Sequence, residues 1–184
     1  PVHTSFAACC NDAVRSASAD ILLFLNNDVL LHPRALCHMM ALMDRHPHTA
    51  LVGTRLIFPD GTLQHAGVVF GADDFGPRHF ARRVPSRLVS RMPTRHQAVT
   101  AAALLARAPV FDALGGFDEG YPFGLEDVDF CLRAGQAGGI ILCDQSVDSI
   151  HFESQTPGRI ELNIPSHRRF MERWRGRFTV DAPP

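Results

Sequence analysis

Apolar and polar positions along the chain follow two periods, and the switches between them mark its elements. Ser5 to Ala19 repeats at helical spacing, and Ile21-Leu22-Leu23-Phe24-Leu25 follows as an unbroken apolar run of strand length. Such a run reads as a strand buried on both faces, as in a parallel sheet. Pro33 suits the first turn of a helix reaching about Arg45, with Leu36, Met39, Met40 and Met43 facing inward. Ala50–Phe58 and Gln64–Phe70 read as strands joined by the turn Pro59-Asp60-Gly61-Thr62, hence a hairpin. Ala98–Arg107 is a further strand, leading into a short helix that ends at Leu114-Gly115. A helix opens at Glu126, with Val128, Cys131 and Leu132 on its apolar face and Gly135–Gly139 at its end. Two brief strands near Gly139–Cys143 and Val147–Phe152 and a basic helix over Ser166–Phe178, carrying Trp174, complete the pattern.

Between Gly71 and His96 the periodicity dissolves. Arg78, Arg82, Arg83, Arg87, Arg91 and Arg95 occur there with three prolines and no acid after Asp74. Such a segment reads either as a solvated loop or as a cationic lid over a phosphorylated substrate. At 184 residues and a net charge of −1, the chain has room for one domain and no basic excess, so nucleic acid is not an expected partner. Its five cysteines lack CxxC spacing and sit in apolar segments, which points to a reducing, cytoplasmic setting. The apolar runs are too short to cross a bilayer.

Chemistry concentrates at four places. In LNNDV (Leu25–Val29), a strand delivers polar residues to its carboxyl end, where Asp28 offers oxygen to Mg²⁺ or Mn²⁺ beside the neutral Asn26. A plain Asn/Asp turn would look the same. His151, at the end of a strand, is either a structural histidine or, if it faces Asp28, the nitrogen half of a site suited to Mn²⁺. Glu126 and Asp127 open a helix next to Asp118, Glu119 and a Gly-rich aromatic loop. As neighbours about 100° apart on a helix they cannot share one task, so one orients while the other faces a cleft. Asp129 reads as a solvated acid or as the i+4 partner of Arg133. Thr100-Ala101-Ala102 places small side chains in a strand, which admits a close ligand or tight packing.

Taken in order, Asn11 within CCNDAVRSA, ILLFLNNDVLLHP, VGTRLIFPDGTLQHAG, the Thr100–Ala106 strand, GGFDE, EDVDFCLR and HFESQT form a series over Ser5–Thr156. The series resembles glycosyltransferase family 2, in the branch of rhamnosyl- and related bacterial cell-surface sugar transferases. The resemblance implies a GT-A fold, an α/β architecture with a mixed central sheet flanked by helices. It further implies inverting transfer of a sugar from a nucleotide-diphosphate donor to a hydroxyl of a glycan or lipid-linked acceptor. Asn26-Asn27-Asp28 matches the metal-binding triplet, with Asn26 in place of its first acid and Asp28 as metal ligand. Asp127, beside Glu126, matches the general base, and His151 a position that completes the metal or diphosphate site. Thr100 and Ala101 match a segment lining the cleft, and Asn11 a donor-side contact. The implied cofactor is a divalent metal, Mn²⁺ or Mg²⁺.

The family's first strand–helix units have no counterpart here. Residues 1–156 are therefore expected to be the C-terminal portion of the transferase domain, with 157–184 a basic helix and tail. The isolated fragment is expected to be inactive and to leave a sheet edge unpaired. A cytoplasmic location at the inner face of the membrane, with peripheral association, accords with a lipid-linked acceptor. A catalytically degenerate carbohydrate-binding or scaffolding domain is the alternative, favoured by the missing first acid. A nucleotidyltransferase would need a second acid near Asp28, which LNNDVLLHP does not supply.

Overall fold

A serine cap opens the first helix: Ser5 Oγ accepts from Ala8 N at 3.2 Å, and α1 runs over Phe6–Arg15. The computed structural model describes residues 5–71, 76–153 and 159–181, the last segment with side chains from Asn163 onward. Residues 72–75 of the arginine-rich stretch and the domain boundary expected at 156/157 lie outside the described residues.

The strands are β1 (Ile21–Leu25), β2 (Val29–Leu30), β3 (Thr49–Ile57), β4 (Leu63–His65), β5 (Val68–Phe70), β6 (Pro77–His79), β7 (Thr94–Arg95), β8 (Ala103–Arg107) and β9 (Ile140–His151). The main sheet has the order β1-β8-β3-β9-β2, with β4 beside β3 and β7 beside β9, while β5 and β6 form a separate antiparallel ribbon. β3 and β9 run parallel, and the other pairs in this sheet are antiparallel, so the sheet is mixed.

Several strands differ from their expectation. β1 is not a doubly buried parallel strand. It pairs antiparallel with β8, and Leu22 and Phe24 turn inward while Leu23 and Leu25 are 38% and 44% exposed. Gln64–Phe70 splits at Gly67, whose φ of +110° bends the chain so that β4 stays on β3 and β5 leaves to join β6. The strand expected from Ala98 begins only at Ala103, because the chain turns at Ala101–Ala102 and the backbone N–H groups of Thr100, Ala101 and Ala102 go to side chains. The two short strands after Gly139 are one, β9, with a register shift opposite Thr54–Leu56.

α2 (Ala35–Arg45) packs Met39, Leu42 and Met43 onto Val52 and Leu105 on one face of the sheet. Leu36, expected inward, is 40% exposed, because the buried stripe is Ala35, Met39, Leu42 and Met43. The other face is covered by α1, α3 (Ala108–Ala113), α4 (Glu126–Gln136) and α5 (Arg159–Trp174). At its centre Phe24, Phe111, Phe117 and Phe130 meet with ring centroids 4.9–5.2 Å apart. Phe170, Met171 and Trp174 of α5 join the same core.

The arginine-rich stretch, in its described part, is exposed along most of its length and is anchored to the sheet at Ser86 and Arg91. Arg55 on β3 is fully buried; it donates to the carbonyls of Ser86 and Ser90 and pairs with Asp148 at 2.9 Å. Arg91 forks onto the same carboxylate with two contacts of 2.8 Å. A charged network thus pins the arm to β3 and β9.

Candidate active site

The acids at the head of α4 are aimed by an unusual backbone. Gly124 and Leu125 both have φ of +73°, and two left-handed residues in succession reverse the chain just before Glu126 and Asp127. A left-handed leucine costs about 1–2 kcal/mol, so the surroundings must hold it. They do so from α5: Ser166 Oγ accepts from Phe123 N at 3.1 Å, and Arg169 and Arg173 grip Asp118 at 2.8 and 3.1 Å. Asp129 is buried rather than solvated. It pairs with Arg133 at 2.7 Å and Arg173 at 3.2 Å, and accepts from Trp174 Nε1 at 2.8 Å and the Tyr121 hydroxyl at 3.3 Å.

Asn11 supports this loop from behind. Its amide donates to Phe117 O and Glu119 Oε1, and its oxygen accepts from Phe117 N. Asn11 is not among the residues that line the cleft, and its side chain is spent on holding the loop. Gly116, with φ of +73°, leaves room for the Asn11 side chain to approach.

The cleft itself has a volume of about 730 Å³. Asn26, Asn27, Asp28, Thr100, Ala101, Glu126, Asp127 and His151 all line it. Asp127 Oδ2 accepts from Ala101 N at 2.9 Å and Oδ1 from Val128 N at 2.8 Å. Burial pushes both carboxyls up, Glu126 to about 8 with the neighbouring Asp127 charge as a second cause. These two donors favour charge on Asp127, so the pair's first negative charge settles there and Glu126 keeps its proton.

On the opposite side, His151 Nε2 stands 3.2 Å from Asp28 Oδ1, and His151 Nδ1 lies 3.0 Å from Gln64 Oε1. An amide oxygen only accepts, so Nδ1 carries a proton and Nε2 turns towards the carboxylate. A neutral ring would then set a lone pair against an anion, an arrangement that a shared cation or proton relieves. Their separation of about 3 Å is also that of adjacent ligands on an octahedral ion with bonds of about 2.1 Å. Among the described residues no three His, Cys, Asp or Glu side chains converge, so a cation here would complete its shell with water or ligand oxygens. On donor chemistry and spacing, the pair fits Mn²⁺ or Mg²⁺.

Gln64, His79 and Glu153, which the sequence did not single out, also line the cleft, as do Arg78 and Arg82 of the arginine-rich stretch. Arg82 bridges to Glu153 at 3.0 Å. The available signal was polar Gln64-His65 inside an apolar strand, where both are buried. Burial, followed by the charges of His79, His96 and His151, holds His65 well below the usual histidine range.

The family model described as Glycosyl transferase family 2 matches residues 3–99. The O-antigen biosynthesis protein RfbC of Myxococcus xanthus is 37% identical over 158 residues, 82% of this chain and 12% of that protein. N-acetylglucosaminyl-diphospho-decaprenol L-rhamnosyltransferase of Mycobacterium tuberculosis is 28% identical over 76% of this chain and 49% of its own length. The chain thus spans between about an eighth and half of these curated relatives. Among solved structures, GalNAc-T7 with UDP, GalNAc and Mn²⁺ superposes with a TM-score of 0.67 at 15% identity, covering 93% of this chain and 35% of that one. S. aureus TarS superposes with a TM-score of 0.51 at 12% identity, over 94% of this chain and 53% of that one. The shared architecture is the GT-A fold.

Proposed function

The chain belongs to glycosyl transferase family 2, and from that premise we propose that its cleft moves a sugar from a nucleotide-diphosphate donor to a hydroxyl of a glycan or lipid-linked acceptor. The observation that carries this reading is a single cleft with a hydrogen-bonded acid pair on one side and an oxygen–nitrogen pair on the other. Asp127, ionised and held by two backbone donors, takes the proton of the acceptor hydroxyl as that oxygen attacks the anomeric carbon and the bond to the diphosphate breaks. Glu126 remains protonated and keeps a second negative charge away from the incoming oxygen. Asp28 and His151 would hold a divalent ion, which when bound neutralises charge developing on the leaving diphosphate. Gln64 orients the His151 ring for that task. Arg78 and Arg82, also on the cleft wall, supply cationic donors for phosphate oxygens.

Among the described residues no helix is long and apolar enough to cross a membrane. The acceptor class follows the printed name of the mycobacterial relative, and a lipid-linked acceptor would bring the domain to the inner membrane surface by peripheral contact. Asn26, in place of an acid, favours the second reading, a degenerate domain that binds sugar without turnover. Calorimetry with Mn²⁺ and UDP, GDP or dTDP tests the site. Binding of one nucleotide should need the ion and fall at least tenfold in Asp28→Asn and in His151→Ala. Equal binding in EDTA would refute the metal assignment.

A further inference from the structure

The loop that leads into the acid pair is clamped from outside by one arginine of α5. Arg169 Nη2 bridges both oxygens of Asp118, at 3.0 Å to Oδ1 and 2.8 Å to Oδ2. Its guanidinium carbon also stands 5.4 Å from the centre of the Tyr121 ring. Between Asp118 and Tyr121 comes Gly120, whose N–H donates to Asp118 Oδ1 at 2.8 Å. A Cβ at Gly120 would collide with Cζ and Nη2 of Arg169 and lie 2.8 Å from its Nε. The φ of Gly120 is outside the left-handed region, so what glycine supplies there is room, and the guanidinium rests on bare backbone. Arg173 also reaches Asp118, at 3.1 Å, but divides itself between Asp118 and Asp129. Among the described residues Arg169 pairs with Asp118 alone.

We propose that Arg169 is the positioning residue of the acceptor wall, holding residues 118–125 in the shape that presents Glu126 and Asp127 to an acceptor hydroxyl. The proposal rests on the glycosyl-transfer reading and deepens it by making α5 part of that site. Residues 121–125 line the cleft and Arg169 does not, so it acts through the loop it holds. That loop needs holding, because Leu125, the last residue before the acids, is left-handed, a conformation that L side chains disfavour. A further tie runs from the same helix, Phe123 N to Ser166 Oγ at 3.1 Å. Asn163, one turn earlier on α5, joins the cleft lining itself. The helix thus reaches from the clamp to the cleft. The ion and diphosphate are assigned to Asp28 and His151, so the loop bears on the acceptor.

At 46% exposure, Arg169 can be truncated to Ala without opening a core cavity. Gly120→Ala displaces the same guanidinium from the other side, since the flexible end of an arginine yields without disturbing the core. In the intact protein, transfer from UDP-glucose, GDP-mannose and dTDP-rhamnose to an N-acetylglucosaminyl lipid diphosphate is measured beside calorimetry of UDP, GDP and dTDP with Mn²⁺. Each variant should lower kcat/KM for the acceptor about 10–100-fold, as for a misplaced reacting group, with nucleotide affinity within about twofold of wild type. The double variant should lose no more than Arg169→Ala, because the added methyl then has nothing to displace. Losses that multiply would overturn the contact between the two residues. An undiminished rate in Arg169→Ala, or an equal fall in nucleotide affinity, would overturn the positioning role. Amide exchange reads the clamp without substrate: at Tyr121 and Phe123 it should speed about tenfold or more in either single variant, and no further in the double. Unchanged exchange would overturn the clamp. A wild-type protein without any transfer would overturn the positioning role together with the glycosyl-transfer reading, and the exchange would still decide the clamp.

Discussion

Replacing Glu126 by Gln should change how stability depends on pH, in a direction fixed by the buried acid pair. Glu126 is 7% exposed, and burial with the adjacent Asp127 raises its carboxyl from 4.5 to about 8. The folded protein therefore holds a proton that the unfolded chain has lost between these values. The resulting stabilisation is fully present below about pH 4.5 and disappears as pH rises through about 8. Linkage makes the full effect about 4–5 kcal/mol. Part of it is shared with Asp127, so about 2–4 kcal/mol should belong to this residue alone. Gln has the size of protonated Glu and no charge to expel. Urea unfolding of both proteins from pH 5 to 9 should give similar stabilities near pH 5, with the Gln variant gaining steadily from about pH 5 to about pH 8 and the difference levelling off above that. Parallel curves over the whole range would refute a protonated Glu126 in the native state.

Asp129→Asn should cost about 3–5 kcal/mol in urea unfolding, because the carboxylate is paired with Arg133 and Arg173 in the core and receives Trp174 Nε1. A loss below about 1 kcal/mol would mean that these cations find other partners. Gly53→Ala should cost about 1–3 kcal/mol, since a Cβ there would lie 2.7 Å from the Cβ of Val99, a stiff β-branched neighbour. An unchanged thermal midpoint would show that the sheet and the Val99 segment can part.

The residues with chemical character were legible because their types are rarely wasted at the ends of elements. Asp28 after an apolar strand, His151 at the end of another, and Glu126-Asp127 at a helix start do line one cleft. What stayed hidden depended on partners distant in the chain. The apolar run of β1 says nothing of its neighbours, and only the Leu25–Ala103 register shows it at an edge, where alternate leucines face outward. Thr100-Ala101 has the composition of a strand, yet its N–H groups are claimed by His65 and by Asp127, 26 residues further on, so it turns. The anchoring of the arginine-rich arm stayed hidden because Arg55, which holds it, sits inside an apolar strand, and its countercharge, Asp148, lies on another. Asn11 carried a motif match but spends its amide on the loop at Phe117.

The proposed transfer depends on Asp127 removing the acceptor proton beside the Asp28–His151 pair. Asp127→Asn keeps the shape of the side chain and one oxygen for the donors around it, while removing the base. Transfer by the intact protein is measured alongside calorimetry of nucleotide with Mn²⁺. The account predicts turnover reduced by at least about a thousandfold, within the reach of a lost general base and its disturbed surroundings, with nucleotide affinity within twofold of wild type. Turnover within tenfold of wild type would contradict it and move the proton transfer away from Asp127.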